Sequence, residues 1–233
     1  MDAMNIIKAA EKAGHAGRHG RRRAATRAAL IQAAQQLIAE GRTDTSIAAI
    51  TERADVGFGS FYNHFATKEQ LFSEAFAEAM DGFSLSLDRL VRGVEDTARA
   101  VSIGFRIIGR VAEIAPGFAS LVTQAGAATL QFNGSLRQAS VRLIEKGIRA
   151  GRFSLPNADV AYSAIGGSLL GVVAYLLLEP GEDIDEQIDA LAAGALRLLG
   201  LADGEAQQIA HEVLPEFVPD ASLAALAERL KTS

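Results

Sequence analysis

The sequence predicts an all-α fold, and three observations carry that prediction. Ala- and Leu-rich runs dominate a chain of 233 residues in which 49% are hydrophobic, five are proline and none is tryptophan, a balance that favours helix over sheet. Apolar residues recur at three- and four-residue spacing. Those periods are closed again and again by Gly or Pro, where helices end. The length allows a sizeable core, in one domain or in a small one joined to a larger. Cysteine is absent, which excludes disulfides and thiolate chemistry and suits a reducing compartment.

Residues 1–20 carry no sustained apolar period and are expected to form a flexible arm, with a short helical stretch near Ile6 to Lys12. No uninterrupted apolar segment or small-residue cleavage site marks a signal peptide. Charge is unevenly shared. Residues 1–76 hold 10 Lys and Arg against 8 Asp and Glu, and residues 77–233 hold 13 against 20. The net charge of −5 therefore belongs to the C-terminal body, while Arg18, Arg21, Arg22, Arg23 and Arg27 concentrate positive charge at the other end. An acidic body with a basic end is the footprint of a protein that touches phosphate with one end only. Arg21, Arg22 and Arg23 either reach into a flanking minor groove, as basic arms do, or form a solvated tail.

From Ala24 to Glu40 the residues Leu30, Ala33, Ala34, Leu37 and Ile38 make one apolar stripe, and Gly41 stands at the C-cap. Thr45 is the expected N-cap of a second helix carrying Ile47, Ile50 and Ala54. Gly57 breaks that period, and a short apolar and aromatic segment, Phe58 to His64, follows at once. Two short helices joined by a tight turn make a helix-turn-helix, whose second helix enters the DNA major groove. Phe58, Ser60 and Asn63 are expected to face the groove, while Phe61 and Phe65 turn into the core. Asn pairs with adenine, Ser with several bases, and Phe packs on a thymine methyl. Gly59 brings bare backbone close to the duplex, and Thr45 with its neighbouring amides can take a phosphate.

Thr45-Ser46, Ile50, Ala54, Val56, Gly59, Tyr62, Phe65 and Lys68-Glu69 together resemble the N-terminal pattern of the tetracycline-repressor (TetR) family, over Thr26 to Phe76 and without a gap. The chain departs from the commoner pattern with Gly57 where Ser or Thr often stands and Phe58 where Lys often stands. The resemblance implies a DNA-binding regulator, with Tyr62, His64 and Lys68 as phosphate contacts. It also implies a homodimer and a C-terminal half that differs from member to member.

Thr67 to Gln70 reads as a capping box opening a long helix with Leu71, Phe72, Ala75, Phe76, Ala79 and Phe83 on one side. This helix would join the DNA-reading head, residues 21–66, to an effector-binding and dimerisation body, residues 67–233. Further helices are expected over Asp96 to Ala115, Phe118 to Gly126, Ala127 to Ala150, Asn157 to Leu178 and Ile184 to Leu199. Two short ones follow, at Gly204 to Val213 and Ala221 to Leu230. Val160 to Leu178 is uncharged for 19 residues, long enough for a membrane span. Its Tyr, Ser and Gly content and the acidic run after it argue instead for a buried interface helix. Ser163, Gly167 and Gly171 leave one face almost bare, suited to close packing. With Ile188, Leu191 and Ala195 on the next helix, they are expected to form the dimer seam.

Polar groups on apolar faces mark the candidate effector site: Gln124, Asn133 (one turn before Arg137, beside Leu136, Ser140 and Ile144), Arg137 and Tyr175. Each is either a ligand contact or an internally satisfied core residue. Arg99, Arg106 and Arg110 share a face with Glu113 and are expected to be solvated. An enzyme is not expected, because no nucleophile elbow, dinucleotide fingerprint or P-loop is present. His15 and His19, four residues apart without carboxylates nearby, make a poor metal pair. No cofactor or catalytic residue is expected. Sequence and resemblance together point to a cytoplasmic homodimer that binds a pseudo-palindromic operator, either a repressor released when a small, largely apolar effector enters the body or an activator of the same family; a helical enzyme or scaffold without DNA binding is the remaining alternative.

Overall fold

The computed structural model describes residues 3–179 and 183–217, with the side chains of residues 3–19 and Ile114 left aside. Among the described residues there are only helices and the turns between them. The head comprises α1 (Ala3–Ala39), α2 (Ile47–Arg53) and α3 (Phe58–Phe61). The body comprises α4 (Lys68–Leu90), α5 (Thr97–Gly109), α6 (Val111–Ile114), α7 (Pro116–Ala125), α8 (Ala127–Gln131), α9 (Ser135–Arg149), α10 (Ala158–Leu178), α11 (Ile184–Leu198) and α12 (Asp203–Ala210).

The first helix does not begin at Ala24. It runs back to Ala3 without a break, so Arg21, Arg22 and Arg23 project from a helix and not from an extended arm. The residues before Ala24 are rich in Ala, Lys and Arg, all strong helix formers. Gly41, with φ of 69°, ends the helix as expected. The amide of Arg42 bonds back to the carbonyl of Leu37 and that of Gly41 to Ile38, closing the helix end in a left-handed cap.

Ser46, not Thr45, caps α2, accepting from the amide of Ala49 at 3.2 Å. The turn after α2 is made by Asp55, whose φ is 51°. Val56 bonds back to Thr51 and Asp55 to Glu52, the same cap geometry as at Gly41. Asp tolerates that region better than most side chains. Gly57, at φ −64°, is an ordinary N-cap position and carries no such strain. The capping box forms: Thr67 accepts from the amide of Gln70 at 3.1 Å, and Gln70 reaches back to the amide of Ala66 at 2.8 Å.

The expected helix from Asp96 to Ala115 is two helices, α5 and α6, meeting at Arg110; the second ends at Ile114, ahead of Pro116, and Pro116 also begins α7. Proline lacks only an amide that a first helical turn leaves unpaired. The expected Ala127 to Ala150 helix is likewise broken, at Phe132 to Gly134, into α8 and α9. The helix expected over Ala221 to Leu230, and the stop at Pro180-Gly181 beyond α10, lie outside the described residues.

One apolar cluster runs from head to body, through Leu30, Leu37, Ile50, Phe61, Phe65, Leu71 and Phe83 to Phe118 and Val122. Phe83 stacks on Phe118 with centroids 4.8 Å apart. A second cluster joins α5, α9, α10, α11 and α12. Arg106, expected in solvent, is 5% exposed. It holds Asp189 of α11 in a two-pronged pair at 2.7 and 2.9 Å. Arg110, also expected in solvent, bonds Asp189 at 2.8 Å and pairs with Asp185. Arg99 stays exposed, paired with Glu212.

Candidate DNA interface and effector cavity

At the tip of the head, Phe58, Gly59, Tyr62 and Asn63 are exposed and Ser60 is half-buried, while Phe61 and Phe65 are fully buried. The inward and outward faces of the recognition segment are therefore those expected. The rings of Phe58 and Tyr62, both more than half exposed, meet edge to face at 6.0 Å. A Cβ added to Gly59 would meet nothing within 4 Å. No internal crowding demands glycine there.

The structure brings Arg22, Arg23 and Thr26 of α1 to Ser60, Asn63 and His64, around an open polar cleft of about 420 Å³. Arg23 donates to the carbonyl of Asn63 at 3.3 Å, leaving the Asn63 side chain exposed. Arg21 is exposed outside this cleft. Arg27 belongs to the internal structure: it pairs with Glu74 and lies 5.5 Å from the centre of the Phe65 ring. Burial, with the nearby charges of Arg23 and Arg27, holds His64 below the ordinary histidine range. It is a neutral donor near pH 7. Lys68 donates to the carbonyls of Thr43 and Thr45 at 3.5 and 3.4 Å. Its ammonium thus fastens the loop before α2, and with three donors it retains one for another acceptor.

In the body, a cavity of about 340 Å³ lies between α4, α5, α9 and α10, walled mainly by Leu87, Val101, Phe105, Leu143, Ile165 and Leu169. Such a volume is in the range of small-molecule sites. Its polar members are few: Asp88, Ser140, Arg142 and Tyr162. Burial raises the pKa of Tyr162 above the ordinary tyrosine value, partly offset by Arg137, whose guanidinium lies 5.5 Å from its ring. The phenol is protonated and can donate. A smaller space of about 80 Å³ adjoins, lined by Met80 and Phe83 of α4, Phe118 and Val122 of α7, and Thr129 and Leu130 of α8.

None of the four expected effector residues lines either space. Gln124 faces a separate crevice at Gly41 and Phe76. Asn133 stands in the break between α8 and α9. Arg137 pairs with Asp159 and touches the cavity only through Tyr162. Tyr175 is 57% exposed on the outer face of α10. The apolar period of α9 held the better signal, because Leu136, Ser140 and Ile144, noted beside Asn133 and Arg137, do line the cavity. Tyr162 carried the same sequence signal as Tyr175, a polar group on the apolar α10, and only the packing tells the two apart.

Of the expected seam residues, Ser163, Gly171 and Leu191 are exposed and Gly167 is half-buried, but Ile188 and Ala195 are buried within the subunit. Ile188 is packed so closely on Gly109 that a Cβ there would lie 2.7 Å from it. The apolar face of α11 therefore has two parts, one turned inward and one, at Leu191 and Leu198, turned outward. By length and apolarity α10 could cross a membrane. Among the described residues no group of three or more His, Cys, Asp or Glu converges to hold a metal; His15 and His19 fall among the side chains left aside.

Two family models match the chain. Residues 30–75 match the bacterial regulatory proteins of the tetR family, and residues 96–212 match the tetracyclin repressor-like C-terminal domain. Among curated proteins none matches. Among solved structures, RolR in complex with the ligand resorcinol is 30% identical over 85% of this chain and 100% of its own, with a TM-score of 0.67. RolR without ligand is 29% identical over 82% of this chain and 100% of its own, with a TM-score of 0.64. The fatty acid degradation regulator FadR from Bacillus halodurans, at 21% identity over 76% of this chain and 97% of its own, shares the fold at a TM-score of 0.60. A helix-turn-helix head, an all-helical body and both family models agree: the chain belongs to the TetR family of transcriptional regulators, with an N-terminal DNA-binding domain and a C-terminal ligand-binding domain.

Proposed function

We propose that the protein is a homodimeric repressor that leaves a pseudo-palindromic operator when a small, largely apolar, hydroxylated aromatic compound occupies the body cavity. The observation that carries this reading is the course of α4. It starts at Lys68, which braces the loop before α2, and near its other end it contributes Leu87 and Asp88 to the cavity wall. One rigid helix therefore touches both sites, as coupling between two ligands requires. A mostly apolar cavity with Ser140 and Tyr162 hydroxyls suits a ring bearing hydroxyl groups, and RolR, 30% identical, holds resorcinol.

In this reading Asn63, Ser60 and Phe58 meet base edges. Arg21, Arg22, Arg23, Thr45, Tyr62, His64 and Lys68 meet phosphates, and Gly59 admits the duplex backbone. Two heads must sit one turn of DNA apart, about 34–36 Å. A second copy covers the exposed faces of α10 and α11, at Ser163, Gly167, Gly171, Tyr175, Leu191 and Leu198. That accounts for an apolar helix left uncovered in one subunit without a membrane. In this reading the protein works in the cytoplasm and is not an enzyme.

Selection from a random DNA pool, followed by titration of the recovered duplex with a panel of hydroxylated aromatics, resorcinol and its alkyl derivatives among them, tests the proposal. The expected result is a palindrome whose complex dissociates as at least one member of the panel is added. Recovery of no preferred sequence would overturn the DNA reading, and a complex indifferent to hydroxylated aromatics would overturn the effector class. Asn63→Ala should alter the preferred base at one position in each half-site, at about 1–3 kcal/mol. Replacing Arg21, Arg22, Arg23 and Lys68 with Ala should flatten the salt dependence by about one unit of slope per lost phosphate contact.

A further inference from the structure

The two spaces in the body have different neighbours. The larger is walled by α4, α5, α9 and α10 alone, whereas the smaller adds Phe118 and Val122 of α7 and Thr129 and Leu130 of α8. Ile108, Leu136, Ser140, Tyr162, Gly166 and Leu169 border both, so they form the partition between an outer and an inner lobe. Leu130 is seated over Gly166, where a Cβ would come within 2.8 Å of its Cδ2. The inner lobe has a wholly apolar lining apart from Ser140, Tyr162 and Thr129, and the Thr129 hydroxyl is committed to the carbonyl of Val122 at 2.8 Å.

Only the inner lobe touches α7, and α7 packs along α1. Its Gln124 lies against Gly41, with Oε1 3.2 Å from the position a Cβ would take. Gly41 closes α1 and opens the loop that Lys68 fastens ahead of α2. The inner lobe also meets α4 at Met80 and Phe83, and Phe83 is stacked on Phe118. A group entering the inner lobe therefore presses on both body elements that hold the head. Of these two elements, a group confined to the outer lobe reaches only the far end of α4, at Leu87 and Asp88, with Val91 just beyond it.

Resting on the effector reading above, we propose that the two lobes divide binding from release: the outer lobe takes the hydroxylated ring, and the inner lobe takes a short apolar substituent on it, whose entry frees the DNA. The effector class is thus an alkyl- or otherwise apolar-substituted phenol, and the unsubstituted ring is a silent ligand. A ligand shifts a conformational equilibrium only as far as its affinity differs between the two states. The inner lobe supplies that difference, because filling it disturbs the packing of Val122, Phe83 and Phe118, which interiors this dense do not absorb.

The test uses the full-length protein, its selected operator, and resorcinol with its 4-ethyl and 4-butyl derivatives. Calorimetry gives affinity, and fluorescence anisotropy gives operator release at saturating ligand. Each added methylene that enters the lobe should raise affinity about fourfold, and only the alkylated members should release DNA. Val122→Phe and, independently, Leu170→Phe, which lines the inner lobe alone, should remove the gain per methylene and the release. Operator binding without ligand shows that the variants are folded. The wild-type series decides the matter even if neither variant folds. Resorcinol that releases the operator as fully as its butyl derivative, or alkyl groups that add no affinity to a ring that binds, would overturn the two-lobe division alone. A series in which no member binds would overturn the effector class and the division together.

Discussion

Removing the carboxylate of Asp189 should be among the most damaging single changes in the body. Asp189 accepts three charge-assisted bonds, from Arg106 at 2.7 and 2.9 Å and from Arg110 at 2.8 Å. With Leu in its place, Arg110 keeps Asp185. Arg106, at 5% exposure, keeps only the carbonyl of Glu212 at 2.7 Å. A guanidinium cannot shed its charge to escape burial. Leaving one member of a buried pair unpaired costs about 3–5 kcal/mol, and since the Asp189 side chain retains 14% exposure, the lower end, about 3 kcal/mol, applies. For a chain of this size that is a fall of about 6–12 °C in melting temperature. Arg106→Met combined with Asp189→Leu should recover most of the loss, because an apolar replacement of both partners is often neutral.

The pH dependence follows with its sign. Burial pushes the Asp189 pKa up, but the hydrogen bonds from Arg106 and Arg110 outweigh it and hold the group below its ordinary value. Its contribution is therefore present above the unfolded value of about 4 and lost as pH falls through the folded one. The advantage of the wild type over the single Asp189→Leu variant should shrink below about pH 4. Thermal melts followed by circular dichroism at one fixed protein concentration, since a dimer's stability depends on concentration, provide the measurement. A single variant that loses less than about 1 kcal/mol, or a double variant no more stable than the single, would refute the reasoning.

Asp96→Ala removes the N-cap of α5, which accepts from the amide of Ala98 at 2.9 Å, and a two-pronged pair with Arg152; a loss of about 1–2 kcal/mol in urea unfolding is expected, and an unchanged midpoint would count against it. Because the Arg152 hydrogen bonds and charge hold Asp96 below its ordinary range, that loss should also fade as the medium is acidified below about pH 4. His64, held low by burial and its Arg neighbours, should regain a proton beside a phosphate, so operator affinity should rise from about pH 8 to pH 6, and His64→Gln should abolish that rise; a variant with the wild-type pH profile would remove His64 from the interface. A Cβ added at Gly171 meets nothing within 4 Å among the described residues, so a Gly171→Leu side chain is directed away from its own subunit's packing, and sedimentation should show loss of the dimer together with loss of operator binding. A variant that stays a tight dimer would place the seam elsewhere.

The head was legible in the sequence because its signals are local. A capping box at Thr67, an apolar stripe from Leu30 to Ile38 and the inward Phe61 and Phe65 each depend on residues within a turn or two of one another. Even there, Asp55 carries the turn where the glycine pattern pointed to Gly57, and Ser46 caps where Thr45 was expected. Either choice satisfies the same local rule. The helix breaks at Arg110 and at Phe132 to Gly134 were missed because apolar residues at helical spacing resume directly after each of them, on α6 and α9.

What the sequence by itself determined is the class of the protein: an all-helical chain with a basic reading head, an acidic body, and a recognition segment whose inward and outward faces follow from a period of 3.6. Tertiary structure alone decided which polar residues are buried and which reach the cavity. Arg106 looks solvated on its own helix and is buried because Asp189, 83 positions away, comes to meet it. Tyr175 and Tyr162 look alike on one apolar helix, yet the first faces outward and the second walls the cavity. A helix's own pattern says that it has a buried face, but not which of its neighbours buries it, nor where packing leaves a space that a ligand can fill.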